Sequence, residues 1–197
     1  MKKGWLIAIV AVLLLILIPY TWVKGTYNGF VRLDEGVSKA WSDVESTYQR
    51  RADLIPNLVE TVKGYASHEQ EVLTGVTEAR SRVGQIQIDA ANLSPAMIQQ
   101  FQQAQQGLSG ALSRLLAVSE SYPDLKANQN FLDLQTQLEG TENRINVART
   151  RFNEAARAYN TQIRSFPGNL LANLFGFQQK PYFEAQEGAD AAPKVKF

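Results

Sequence analysis

The chain contains no cysteine, a single histidine (His68) and only two methionines in 197 residues. Without cysteine there can be no disulfide, no thiolate nucleophile and no cysteine-ligated zinc or iron–sulfur site. One imidazole cannot supply the paired Glu-x-x-His motifs of a helical di-iron centre. The run His68-Glu69-Gln70-Glu71 is followed by Val72, where a zinc-protease signature needs its second histidine. No metal and no cofactor is therefore expected. Glycine-rich phosphate loops and a Gly-x-Ser-x-Gly nucleophile turn are also missing. With 20 basic and 19 acidic residues the formal charge is +1, so net charge does not draw the chain to nucleic acid. This inventory argues against an enzyme.

The chain does have a long apolar run. Residues 1–4 form a basic leader, and Trp5 to Val23 carries no charge. At about 1.5 Å per residue that run spans about 28 Å, close to the hydrocarbon thickness of a bilayer. Trp5 at one end, and Tyr20, Trp22 and Lys24 at the other, are the residue types that anchor a span at the headgroups. A cleaved signal peptide is the alternative, but no small-x-small site follows the apolar residues. Residues 5–23 are therefore expected to be a retained signal anchor that crosses the bacterial inner membrane once. Lysines and arginines nearly balance across the span, and the leader favours a cytoplasmic N-terminus with the remainder outside.

From Tyr27 onward apolar residues recur at alternating steps of three and four, the spacing of bundled helices. Val37, Trp41, Val44, Tyr48, Ile55, Leu58 and Val62 form the first seam, broken only by Arg51, and Pro56 predicts a kink or interruption. Ser67 and Gln70 have the spacing of a capping box for a second helix. Ser94 and Pro95 open a third, whose seam includes Phe101, Leu108 and Leu115, with Gln99, Gln100, Gln102, Gln103, Gln105 and Gln106 facing outward. A fourth is expected from Asp124 to Phe166. First and fourth helices near 40 residues, with a middle pair near 25, predict an all-α, elongated antiparallel four-helix bundle over residues 27–166, preceded by the transmembrane helix.

In that geometry facing residue numbers on the long helices sum to about 190, which sets Arg51 opposite Glu139 and Glu142 as a candidate register pair. Residues 167–183 follow as a short amphipathic segment beside the membrane. Within them Leu170, Leu171, Leu174, Phe175 and Phe177, with Tyr182 and Phe183, are candidates for an interface. The segment could dock on the bundle, lie in the lipid interface or meet a second subunit. Residues 184–197 read as a flexible tail.

Several runs resemble the LemA family. They include Trp41, Val44 and Tyr48, then Arg50-Arg51-Ala52-Asp53-Leu54-Ile55-Pro56-Asn57-Leu58-Val59 and Lys63-Gly64-Tyr65-Ala66 with His68-Glu69. Further on come Tyr122-Pro123-Asp124-Leu125-Lys126-Ala127, Phe152-Asn153, Tyr159-Asn160, Phe166-Pro167, Gly176-Phe177 and Tyr182-Phe183-Glu184. The resemblance covers roughly residues 5–185. It implies a bacterial membrane protein with one N-terminal span, a mostly helical soluble part and envelope-related roles, and it carries over no catalytic residue. Phe152-Asn153 beside Tyr159-Asn160 departs conservatively from the family's usual Tyr-Asn. The expected function is a non-enzymatic, membrane-anchored helical scaffold in contact with the lipid bilayer that self-assembles laterally as a homo-oligomer and organises or shapes the bacterial cell envelope. The alternative is a monomeric membrane-tethered adaptor or sensor input for a protease or signalling partner, itself a possible membrane protein.

Overall fold

The computed structural model describes residues 2–184, excepting the side chains of residues 2, 3 and 91. All regular elements among the described residues are helical: α1 (Lys2–Tyr65), α2 (Gln70–Gly84), α3 (Pro95–Val118), α4 (Pro123–Lys126), α5 (Gln129–Arg164) and α6 (Gly168–Phe175). Single 3-10 turns at Ala90–Asn92 and Ser119–Ser121 join them.

The apolar run and the first seam are one helix. α1 is 64 residues long, roughly 96 Å, and passes through Pro19 and Pro56 without a break. The interruption expected at Pro56 is absent. Burial supplies a reason: Ile55 and Leu58, on either side of it, are enclosed in the core, and that packing offsets the hydrogen bond a proline removes.

The remaining boundaries depart from expectation in three places. α2 has only 15 residues. Gln70 Nε2 donates to the Ser67 carbonyl at 2.9 Å, but no side chain caps the helix, so the capping box does not form. After Gly84 the chain leaves helical geometry, and Ile86 and Ile88 pack against the core on the way to Ser94. Ser94 does cap α3, accepting from the Met97 N–H at 3.3 Å with Pro95 in the first turn. The helix expected over 124–166 is split, because Asn128 accepts from the Phe131 N–H at 3.0 Å and starts α5 afresh. Phe166, the expected end of that helix, is 81% exposed, since α5 ends at Arg164. The tail expected over 184–197 lies outside the described residues from 185 onward.

α1 and α5 run antiparallel for most of their shared length. Trp41 meets Phe152 edge-on at 5.6 Å, and Arg51 pairs with Glu142 at 3.1 Å. Ten residues along α1 are thus ten residues back along α5, a single register. At the far end Tyr122 donates to Glu69 and Asn128 donates to the Tyr65 hydroxyl, which joins the top of α1 to the chain on either side of α4. Two apolar clusters fill the interior. One gathers Phe30, Trp41, Tyr48, Phe101, Phe152 and Tyr159 toward the apolar run. The other gathers Ile55, Leu58, Leu73, Leu108, Leu115 and Phe131 beyond it.

Candidate functional site

Three features depart from plain helix packing, and they lie at successive heights along α1. The most distant from the apolar run is a polar layer between the two clusters. Arg51 is 7% exposed. Its Nη1 reaches Glu142 Oε2 at 3.1 Å, and its Nη2 donates to Ser109 Oγ at 2.8 Å. Ser109 in turn donates to the Gln105 carbonyl at 3.0 Å. Glu139, the other carboxylate set opposite Arg51, faces solvent and accepts from Gln135 at 3.1 Å. Gln105, read from sequence as outward, is only 5% exposed, and its carboxamide N and O have no partner. It lines a cavity of about 490 Å³ with Tyr48, Phe101 and Arg80. Burial pushes the Tyr48 hydroxyl above its ordinary 10.0, only partly opposed by the nearby Arg149 guanidinium.

Lower down, the chain after α6 lies extended in a groove bordered by α1 and α5. Gly176, at φ +76°, ends α6 in the left-handed conformation that turns the chain back along the bundle. Asn160 then holds Lys180 by its backbone: Nδ2 donates to the Lys180 carbonyl at 2.8 Å, and Oδ1 accepts the Lys180 N–H at 2.8 Å. Asn153 holds Phe183 in the same way, at 2.9 Å in both directions. A carboxamide is suited to this because it offers a donor and an acceptor side by side, as an adjacent strand would. The spacing also fits. Seven residues of α5 rise about 10.5 Å and three extended residues cover about 10 Å, so consecutive clamps stay in phase.

Side chains lock the same segment. Phe183 is buried, stacked on Trp41 at 5.9 Å and edge-on to Phe152 at 5.4 Å, with the Arg149 guanidinium 4.9 Å above its ring. Lys180, also buried, pairs with Asp34 at 2.9 Å. Tyr182 is half-exposed, its hydroxyl 3.0 Å from Asn160 Nδ2. Burial, reinforced by the Asp34 charge, pushes Tyr159 up to about 12. Phe183 therefore belongs to the core of its own chain and lies well above the apolar run, which corrects its reading as an interface residue near the lipid. The repeated aromatic-Asn pair, Phe152-Asn153 and Tyr159-Asn160, was the sequence signal for the clamp. Its heptad spacing puts both asparagines on one face, but only the folded chain shows what they hold.

Nearest the apolar run, α6 packs one face on the bundle through Gly168, Leu171 and Ala172. Phe177 lies edge-on to Tyr27 and Phe30. Leu170, Leu174 and Phe175 stay exposed. The sequence-derived interface is thus divided, with Leu171 and Phe183 inside and Leu170, Leu174 and Phe175 outside. Trp5, Tyr20, Trp22 and Lys24 lie exposed on α1 at the two ends of the apolar run. His68 is exposed in the turn before α2, and no metal-ligating cluster occurs among the described residues.

These features define an all-helical protein with one N-terminal helix long and apolar enough to cross a membrane, continuous with its bundle. The family model described as "LemA family" matches residues 40–197, and the chain belongs to the LemA family. Relatives include magnetosome protein MamQ 2 of Paramagnetospirillum magneticum, 29% identical over 185 residues, covering 83% of this chain and 66% of the relative. Magnetosome protein MamQ of Magnetospirillum gryphiswaldense is 27% identical over 212 aligned residues, with 96% and 76% covered. Protein LemA of Metamycoplasma hominis is 27% identical over 163 residues, with 83% and 71% covered. The chain thus spans just under two thirds of the first relative's length.

Proposed function

We propose that this protein is a non-enzymatic scaffold, anchored in the bacterial inner membrane, whose helical rods assemble laterally and organise the cell envelope. The observation that carries this reading is the continuity of α1. The helix leaves the apolar run and enters the core without a break, with Val23 already packed against the bundle and Phe30 fully enclosed. A bundle joined in this way cannot pivot on a loop, so its tilt is coupled to the tilt of its anchor. Copies packed side by side would impose one spacing and one tilt on the bilayer. Anchoring also raises effective concentration, so weak lateral contacts suffice. Relatives named as magnetosome proteins support a membrane setting. The proposed topology puts the N-terminus in the cytoplasm and the rod outside it.

A second reading, a monomeric adaptor for a partner in the same membrane, draws on the cavity at Gln105, whose unpartnered carboxamide could receive a partner group. Full-length protein extracted in mild detergent and measured by size-exclusion chromatography with light scattering separates the two. The scaffold reading expects a discrete species at a multiple of 22.0 kDa. A single 22.0 kDa chain at every concentration overturns it and favours the adaptor.

A further inference from the structure

α6 carries apolar residues on its inner and its outer side, with Asn169 and Asn173 between them along one flank. Its inner face is taken up by the bundle, while Leu170 and Leu174, one turn apart on the outer face, are 59% and 73% exposed, with Phe166 and Phe175 beside them. Residues 166–177 contain no charged side chain. A helix with two apolar faces needs a second apolar medium. Position identifies that medium. Phe175 meets Tyr27 edge-on at 5.0 Å, and a methyl group on Gly168 would come within 3.3 Å of Phe30 Cζ. Tyr27 and Phe30 stand four and seven residues beyond Val23, or about 6 and 10 Å above the end of the apolar run. The headgroup zone on one side of a bilayer is about 5–8 Å deep. The two ends of α6 also differ by only about 4.5 Å in height along α1, while the helix itself is about 12 Å long, so it lies across α1 and not along it.

We propose that α6 is a lipid-interface foot: Phe166, Leu170, Leu174 and Phe175 reach into the headgroup zone of the bilayer that α1 crosses. The foot would give each rod a second point of attachment, off the axis of its anchor, fixing its rotation as well as its tilt. This rests on the reading that α1 spans the membrane, and does not depend on lateral assembly.

The absence of cysteine makes site-directed spin labelling clean. Full-length protein would carry one nitroxide, through Leu170→Cys, Leu174→Cys, Ile16→Cys or Val147→Cys, in vesicles of phosphatidylethanolamine and phosphatidylglycerol. All four positions are exposed, so labelling spares the core. The expected result is an oxygen-to-nickel accessibility ratio that rises from Val147 to Leu170 and Leu174, and further at Ile16. Aqueous values at Leu170 and Leu174 with a lipid value at Ile16 overturn the foot alone. An aqueous value at Ile16 overturns the span, and the foot with it. Dipolar broadening at Leu174 that disappears on dilution with unlabelled protein, with no shift toward oxygen, overturns the lipid assignment in favour of a second copy.

Discussion

Asn153 binds both backbone polar groups of Phe183, accepting its N–H and donating to its carbonyl, each at 2.9 Å. A helix side chain here does what a neighbouring strand would do, and it secures a segment 30 residues away in sequence. The Phe183 ring completes the attachment by stacking on Trp41.

Asn153→Ala leaves both groups of Phe183 without their partner and is expected to cost about 1–3 kcal/mol. Thermal or denaturant unfolding of the full chain would read this loss. Asn153→Asp is expected to be worse, since its carboxylate sets an acceptor against the Phe183 carbonyl. Chymotrypsin should cut after Phe183 faster in both variants, because the ring must leave the core to be cleaved. Unchanged cleavage would show that ring stacking alone holds the segment.

The two carboxylates that helix spacing sets opposite Arg51 should separate sharply. Glu142→Ala removes the ion partner of a buried guanidinium and is expected to cost about 1.5–3 kcal/mol. Glu139→Ala, on the solvent side, should stay within about 0.5 kcal/mol. Arg51→Met, similar in length and able to pack between the two clusters, is expected to cost little or to stabilise, as replaced buried ion pairs often do. Equal effects at Glu139 and Glu142 would contradict the observed pairing.

Gly176→Ala tests the turn into the groove. At φ +76° an L side chain meets its own backbone, at a cost of roughly 1–2 kcal/mol. The strain falls where α6 ends and the clamped segment begins. Hydrogen exchange should therefore rise at Lys180 and Phe183 more than in α2 or α3.

Alkaline stability should depend on Tyr159. Its folded value of about 12 exceeds the ordinary 10.0, so the fold favours the protonated hydroxyl. Below pH 10 both states keep the proton. Between pH 10 and 12 the unfolded chain loses it first, and stability falls with rising pH by roughly 2 kcal/mol. Tyr159→Phe cannot titrate and should flatten that part of the profile, leaving the smaller contribution of Tyr48, which is raised in the same direction.

Much of the fold is legible in the periodicity. The seam residues Trp41, Val44, Leu58, Val62, Phe101 and Leu115 are buried as their spacing requires, because a 3.6-residue period can bury one stripe only. Ser94-Pro95 announces α3 because capping is local chemistry. Pro56 and Gln105 are misread for a shared reason. Local rules treat a proline as a breaker and a glutamine as a surface residue, and neither rule includes the tertiary packing that encloses Gln105 and the residues flanking Pro56, Ile55 and Leu58.

Composition and spacing were enough to establish the helical elements of the described residues, an apolar N-terminal helix among them, and the absence of any cysteine thiol. They also placed Arg51 opposite the acidic pair on the returning helix, since an antiparallel register follows from helix length. Three matters needed the folded chain: that Glu142 and not Glu139 meets Arg51, that Asn153 and Asn160 hold the returning segment, and that α6 turns Leu171 inward while Leu170 and Leu174 remain outside. The first depends on how α5 is rotated about its axis against α1, and the other two on where a non-helical segment turns in space. Side-chain periodicity carries no information about that direction, because it is set by a few backbone angles and by contacts between residues distant in sequence.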